Sequence, residues 1–180
     1  MINIFKLYLN DHREIDVNIE NEEVKDENLY YFSRCLIYFI NEENKILIYD
    51  DFLTEALTSL VNSLTLVRDN KQVISEKNYM KGAAYNFNLA LNIEQDFELD
   101  DVWSTIQEDN QSLWIYNYKN ETYLEIGKIY HYHFLELPEN EMTYEDFMRD
   151  YKFTVRILLT KEMIDSWLKL TEPLLKKLKK

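Results

Sequence analysis

Ser112-Leu113-Trp114-Ile115-Tyr116-Asn117-Tyr118, then Lys119-Asn120-Glu121, then Thr122-Tyr123-Leu124-Glu125-Ile126 read as strand, turn and strand. Two runs rich in aromatic and branched residues around a short polar connector close as an antiparallel hairpin. Downstream, Gly127 predicts a bulge or bend before another strand over 129–135. Pro138 and Glu139-Asn140-Glu141 interrupt that order. Thr143 is placed to cap a two-turn helix ending near Tyr151, and 152–159 returns to strand character. Thr160 opens a final helix over 161–179, with Ile164, Trp167, Leu168, Leu174, Leu175 and Leu178 as apolar contacts. Pro173 lacks an amide hydrogen and predicts a kink or break around 170–172.

Upstream, 2–9 and 14–20 form an opening hairpin about Asn10-Asp11-His12-Arg13, followed by an acidic loop over 20–27. Apolar residues lie on every side of 29–40, which suits helix or strand. The polar Asn41-Glu42-Glu43-Asn44 before Lys45 favours a second hairpin, with strands near 34–40 and 45–49. Asp50 or Asp51 then offers a cap to a helix over 51–67, whose Phe52, Leu53, Ala56, Leu57, Leu60, Val61 and Leu64 form one apolar face. Gly82 allows a backbone bend in the ambiguous stretch 71–84. The fold class is therefore α+β: a mainly antiparallel sheet of hairpins packed on two principal helices. No internal repeat or flexible linker divides the chain, so 1–180 is expected to be a single domain.

From Tyr85 to Asp100 the residues alternate in type. Tyr85, Phe87, Leu89, Leu91, Ile93, Phe97 and Leu99 take odd positions, while Asn and acidic residues take most even ones. Successive strand side chains point to opposite faces, so the pattern predicts a half-buried strand. At about 3.3 Å per residue one straight strand would run roughly 50 Å, which predicts a bend or break near Gln95. The wet face would end in Glu94, Asp96, Glu98 and Asp100, with Asp101 beside them, as either a binding surface or a solvated loop. Asp100 or Asp101 would next cap a short helix through Ile106.

The chain carries 33 acidic and 20 basic residues, a formal charge of −13, with 46% hydrophobic content. Such a chain folds, repels nucleic acid and anionic membrane, and favours basic partners. The closing Lys176, Lys177, Lys179 and Lys180 suit a helix C-terminus, where partial negative charge collects. Cys35 is the single cysteine, which suggests a reducing compartment. The longest apolar run, Cys35 to Ile40, falls far short of the ~20 residues that cross a bilayer. The opening residues carry no secretory-signal pattern, so a cytoplasmic address is expected.

His131-Tyr132-His133 has the spacing of two metal ligands on one strand face, and Glu136 is near enough in sequence to be a third. Zinc sites require three or four such ligands, so solvent-facing or hydrogen-bonded imidazoles are the favoured alternative. Cys35 lies in an apolar run where a thiol behaves as a small hydrophobe. No nucleophile elbow, phosphate loop or dinucleotide-binding turn is present, and two glycines leave little room for one. Glu94, Asp96, Glu98 and Asp100 also lack the glycine and the closing glutamate of an EF-hand loop.

The stretch Tyr123-Leu124-Glu125-Ile126-Gly127-Lys128-Ile129-Tyr130, then Tyr144-Glu145-Asp146-Phe147-Met148 with Asp150-Tyr151-Lys152, then the helix around Trp167, resembles small acidic proteins of low-GC bacteria. These are similar to the immunity proteins that neutralise polymorphic toxins. The likeness spans about the last third of the chain and consists of packing residues. It implies a cytoplasmic protein without an active site or cofactor that binds a basic toxin domain. The expected partner surface is Glu94, Asp96, Glu98, Asp100 and Asp101. The alternatives are a small metal-dependent enzyme using His131, His133 and Glu136, and a structural or homo-oligomeric adaptor.

Overall fold

The computed structural model describes residues 1–9, 12–19, 33–42, 44–105 and 110–179. Strands β1 (Ile2–Tyr8), β2 (Glu14–Ile19), β3 (Arg34–Asn41) and β4 (Asn44–Phe52) form an antiparallel sheet in chain order. Helices α1 (Leu53–Arg68), α2 (Glu76–Lys81) and α3 (Ala83–Asn92) follow. A second antiparallel sheet contains β5 (Trp103–Ser104), β6 (Gln111–Tyr118), β7 (Glu121–Lys128) and β8 (Val155–Leu159), again in chain order. Helix α4 (Tyr144–Arg149) lies between β7 and β8, and α5 (Lys161–Leu178) closes the chain. The fold is α+β, and both principal helices stand where their apolar periodicity placed them. The expected turn residues Asn10 and Asp11 and the acidic loop 20–27 lie outside the described residues.

One apolar core joins the two sheets. Ile15, Val17, Ile37, Phe39 and Ile48 of the first sheet share it with Leu57, Leu60 and Leu64 of α1, Leu113, Ile115 and Leu124 of the second sheet, and Trp167 and Leu168 of α5. Trp103 of β5, almost fully buried, donates its indole N–H to the Ala56 carbonyl of α1 at 3.0 Å. Strand β6 is buried on both faces, with Trp114 and Tyr116 pointing away from this core into a second cluster that includes Ala83, Ala84 and Leu99. A strand that is apolar on both sides must be covered on both sides. The cover on the outer side comes from α2 and α3.

That requirement overturns the strand expected over 85–100. Residues 83–92 are the helix α3, and 93–102 run on in turns and bends. The physical reason lies in the side chains: Ala83, Ala84, Leu89, Ala90 and Leu91 are strong helix formers, and no β-branched residue occurs before Ile93. The alternation had a different cause. Asn86 and Asn88 are buried, and their amides bond backbone carbonyls, Asn86 to Gly82 at 2.6 Å and Asn88 to Ala84 at 2.7 Å. Gly82 starts α3 with a φ of 100°, a conformation that favours glycine.

Five smaller expectations also change. No helix starts at Asp100 or Asp101, because Trp103–Ser104 pairs with β6 instead. The N-cap of α1 is Phe52, without a side-chain cap bond; the Asp51 carboxylate accepts from the Phe52 amide at 2.9 Å. Residues 129–135 form turns and bends instead of a strand. Helix α5 is not broken at Pro173. The β6–β7 turn is tighter than expected: Tyr118 pairs with Glu121, and Lys119 and Asn120 both have positive φ, as a two-residue type I′ hairpin requires.

Gly127 makes no bulge. It pairs in unbroken register with Ser112, and a Cβ there would stand 2.6 Å from the Ala84 Cβ and overlap the Tyr151 hydroxyl. The missing side chain is what lets α3 and Tyr151 reach the sheet. Gly127→Ala is therefore expected to destabilise the fold by about 1–3 kcal/mol through overpacking. Urea unfolding followed by tryptophan fluorescence checks this, and an unchanged midpoint would contradict the packing argument.

Candidate partner-binding surface

The layer beneath α2 and α3 is built around a carboxylate. Glu125 in β7 is fully buried and lies directly opposite Arg156 in β8. Arg156 donates from Nη2 at 2.7 Å and from Nε at 3.0 Å to Oε2, which also accepts from the Tyr116 hydroxyl at 2.6 Å. The other oxygen, Oε1, accepts from the Ala84 amide at 3.3 Å, tying the start of α3 to the sheet. Arg156 donates in addition to the Tyr79 carbonyl at 2.8 Å and sits over the Tyr79 and Phe153 rings. Burial, reinforced by the Glu125 charge, holds the Tyr116 hydroxyl far above its ordinary pKa. A buried carboxylate so fully bonded acts as a structural tie.

The sequence-predicted acidic residues do not form a row. Glu94 leaves α3 with a φ of 52° and is exposed, as is Asp96. Glu98 accepts from the Ser75 amide at 3.0 Å and the Asn78 side-chain amide at 2.8 Å, so it secures the entry to α2. Asp100 and Asp101 do come together with acids from elsewhere. Two adjoining grooves run along α1, one of about 380 Å³ that includes Asp50, Asp51, Glu55 and Asp101, the other of about 360 Å³ that includes Asp100 and Asp101. Ser59 and Asp101 line both, so the grooves form one trough.

The trough has a negative field. Burial raises the pKa of Asp101, a hydrogen bond from Ser104 opposes the shift, and Asp100 adds to it. Burial and the nearby charges of Asp51 and Glu55 likewise raise that of Tyr49 in the trough wall. The buried Cys35 thiol is pushed up to about 12 by burial and then by Asp50 and Asp51, which suits a packing role over a nucleophilic one. Arg34 pairs with Asp50 at 2.7 Å. Asp50, Asp51 and Glu55 escaped the sequence reading because nearly fifty residues separate them from Asp100; their density at the start of α1 was the available signal.

His131 and His133 lie in turns and not on one strand face. Among the described residues, no three His, Cys, Asp or Glu side chains are grouped to hold a metal. His133 instead bonds through Nε2 to the Asn88 Oδ1 at 3.0 Å. Asn88 is a second tie: its amide nitrogen donates to the Ala84 and Lys128 carbonyls, and its oxygen accepts from the Tyr130 amide at 2.7 Å. Since the oxygen can only accept, His133 Nε2 carries the hydrogen. Glu136 is exposed in the following segment.

No family model matches the chain, and neither a curated protein nor a solved structure matches it. Among the described residues, no helix is long and apolar enough to cross a membrane.

Burial lowers the pKa of His133 below its ordinary value. The neutral ring is then favoured in the folded state, so its contribution is fully present above about pH 6.5 and is lost as pH falls toward the folded pKa. An NMR titration should place the His133 midpoint below that of an exposed histidine, and His133→Gln should flatten the stability slope between about pH 7 and pH 5. A midpoint at or above the ordinary value would contradict the assigned packing.

Proposed function

We propose that this protein is a non-catalytic inhibitor of the immunity type, which holds a basic toxin domain against the acidic trough along α1 in the cytoplasm. The observation that carries the reading is the convergence of Asp50, Asp51, Glu55, Asp100 and Asp101 from two distant parts of the chain on one concave surface. A net charge of −13 reinforces it. Long-range attraction of this sign can raise association rates toward about 10⁸ M⁻¹s⁻¹ at low salt, and a few desolvated anchors supply the affinity. The raised pKa of Asp101 supports a cationic occupant, because an arriving Lys or Arg would favour its ionised form.

Asp100 and Asp101 belong to the proposed contact, Glu98 to the scaffold, and Glu94 and Asp96 stand apart. Co-purification from the native host tests the assignment. The unaltered protein should recover one stoichiometric basic partner, Asp51→Lys/Glu55→Lys/Asp100→Lys should lose it, and Glu94→Lys/Asp96→Lys should keep it. With the purified partner, the triple variant should associate at least about tenfold more slowly and with a flatter salt dependence. Equal recovery by the triple variant would remove the trough from the reading.

A further inference from the structure

Several large exposed apolar side chains gather at the end of the molecule formed by α2, α4 and the segment between β7 and α4, besides others on β1 and after α3. Phe134 is 76% exposed, Met80 70%, Leu135 58% and Met142 54%. They occur in two forms. One is a protruding segment, 134–142, whose Phe134, Leu135 and Leu137 are interleaved with Glu136, Glu139 and Glu141. The other is a groove of about 590 Å³ whose Met80, Tyr85 and Phe153 are bordered by Lys81, Arg149 and Lys152. On so acidic a chain this is a local basic surface. It matches the segment in apolar content and opposes it in charge.

Segment and groove share one platform. Ring contacts run without a gap from Tyr85 in the groove to Tyr151, Phe147, Tyr130 and His133, each pair within 5.4–5.7 Å, and on to Phe134 at 6.1 Å. The base of the segment is fixed by the Tyr130 amide on Asn88 and by the Tyr130 hydroxyl on the Met142 carbonyl at 2.9 Å. Tyr144 at its far end donates to the Asn88 carbonyl at 3.2 Å. With both ends held, the segment leaves its own groove open and keeps Phe134 in solvent.

We propose that the occupant is a second copy of this chain: the 134–142 segment of each protomer docks in the Lys81–Lys152 groove of the other, about a two-fold axis. Each protomer then contributes both halves of the contact, segment and groove, as an isologous interface requires. Glu136 and Glu139 meet Lys81 and Lys152, while Arg149 already shares its charge with Asp146 at 2.6 Å. The monopole repulsion between two acidic chains is screened beyond about 8 Å at physiological salt, so these short-range contacts decide the outcome. No residue lining the groove lines the acidic trough.

Sedimentation velocity of the full chain from low to high micromolar concentration, at about 0.15 M salt, tests the proposal. The mass should rise from one chain to two with concentration. Phe134→Asp should raise the dissociation constant at least about tenfold, as loss of an apolar anchor does. Glu136→Lys/Glu139→Lys and Lys81→Glu/Lys152→Glu should each weaken the dimer, and the four changes together should restore it. All of these side chains are exposed, and unchanged circular dichroism would establish that each variant folds. A monomer at every concentration, a dimer indifferent to these changes, or a fourfold variant as weak as either pair would each overturn it.

Discussion

A single carboxylate sets the organisation of the outer layer. Glu125 is the polar side chain that β7 sends into the space between the second sheet and α2–α3, and it is fully buried. An ionised carboxylate in such a place is tolerated only if nearly every lone pair is used. Arg156, Tyr116 and the Ala84 amide do this, and in doing so they join β8, β6 and the start of α3 to one point. Gly82 and Gly127, the two glycines of the chain, flank the same point. At each of them an added Cβ would meet this cluster or the elements it holds.

The remainder of the layer follows from that tie. With α3 held against Gly127, Asn88 reaches the end of β7 and organises the turns that carry Tyr130, His133 and the exposed segment. Tyr79 gains its stack on Tyr118 at 3.7 Å and its contact with Arg156 by the same placement of α2. The polar groups of the interior are thus largely committed to structure. Recognition falls to the surface, where a concave acidic trough lies along α1 and an apolar segment and a basic groove share another end of the molecule.

Much of this architecture was legible in the sequence, for identifiable reasons. The hairpin around Asn41–Asn44 and the Thr143 and Thr160 caps rest on local chemistry and stand as expected; the amphipathic helix and the hairpin after Tyr118 also form, the one without its aspartate cap and the other with a tighter turn. The strand expected over 85–100 fails for a physical reason: Asn86 and Asn88, at the positions of the wet face, are buried and serve backbone carbonyls, while Leu89 and Ile93, at the positions of the dry face, are exposed. Glu125 was hidden for the complementary reason. In alternation with Leu124 and Ile126 it resembled a wet-face residue, and only the aromatic run Trp114, Tyr116 and Tyr118 hinted that the face was covered. Of the proposed surface, Asp100 and Asp101 belong to the acidic stretch that the sequence singles out, while Asp50, Asp51 and Glu55 join them only in three dimensions.

Glu125 and Arg156 hold the α2–α3 layer onto the second sheet. Native-state hydrogen exchange of Arg156→Ala against the unaltered protein tests it most directly. Removing one partner of a buried pair costs about 3–5 kcal/mol, and the account predicts that this loss appears first in the amides of α2 and α3, Ala84 among them, while β1 to β4 keep their protection. Uniform loss of protection across both sheets, or no loss at all in α3, would contradict it.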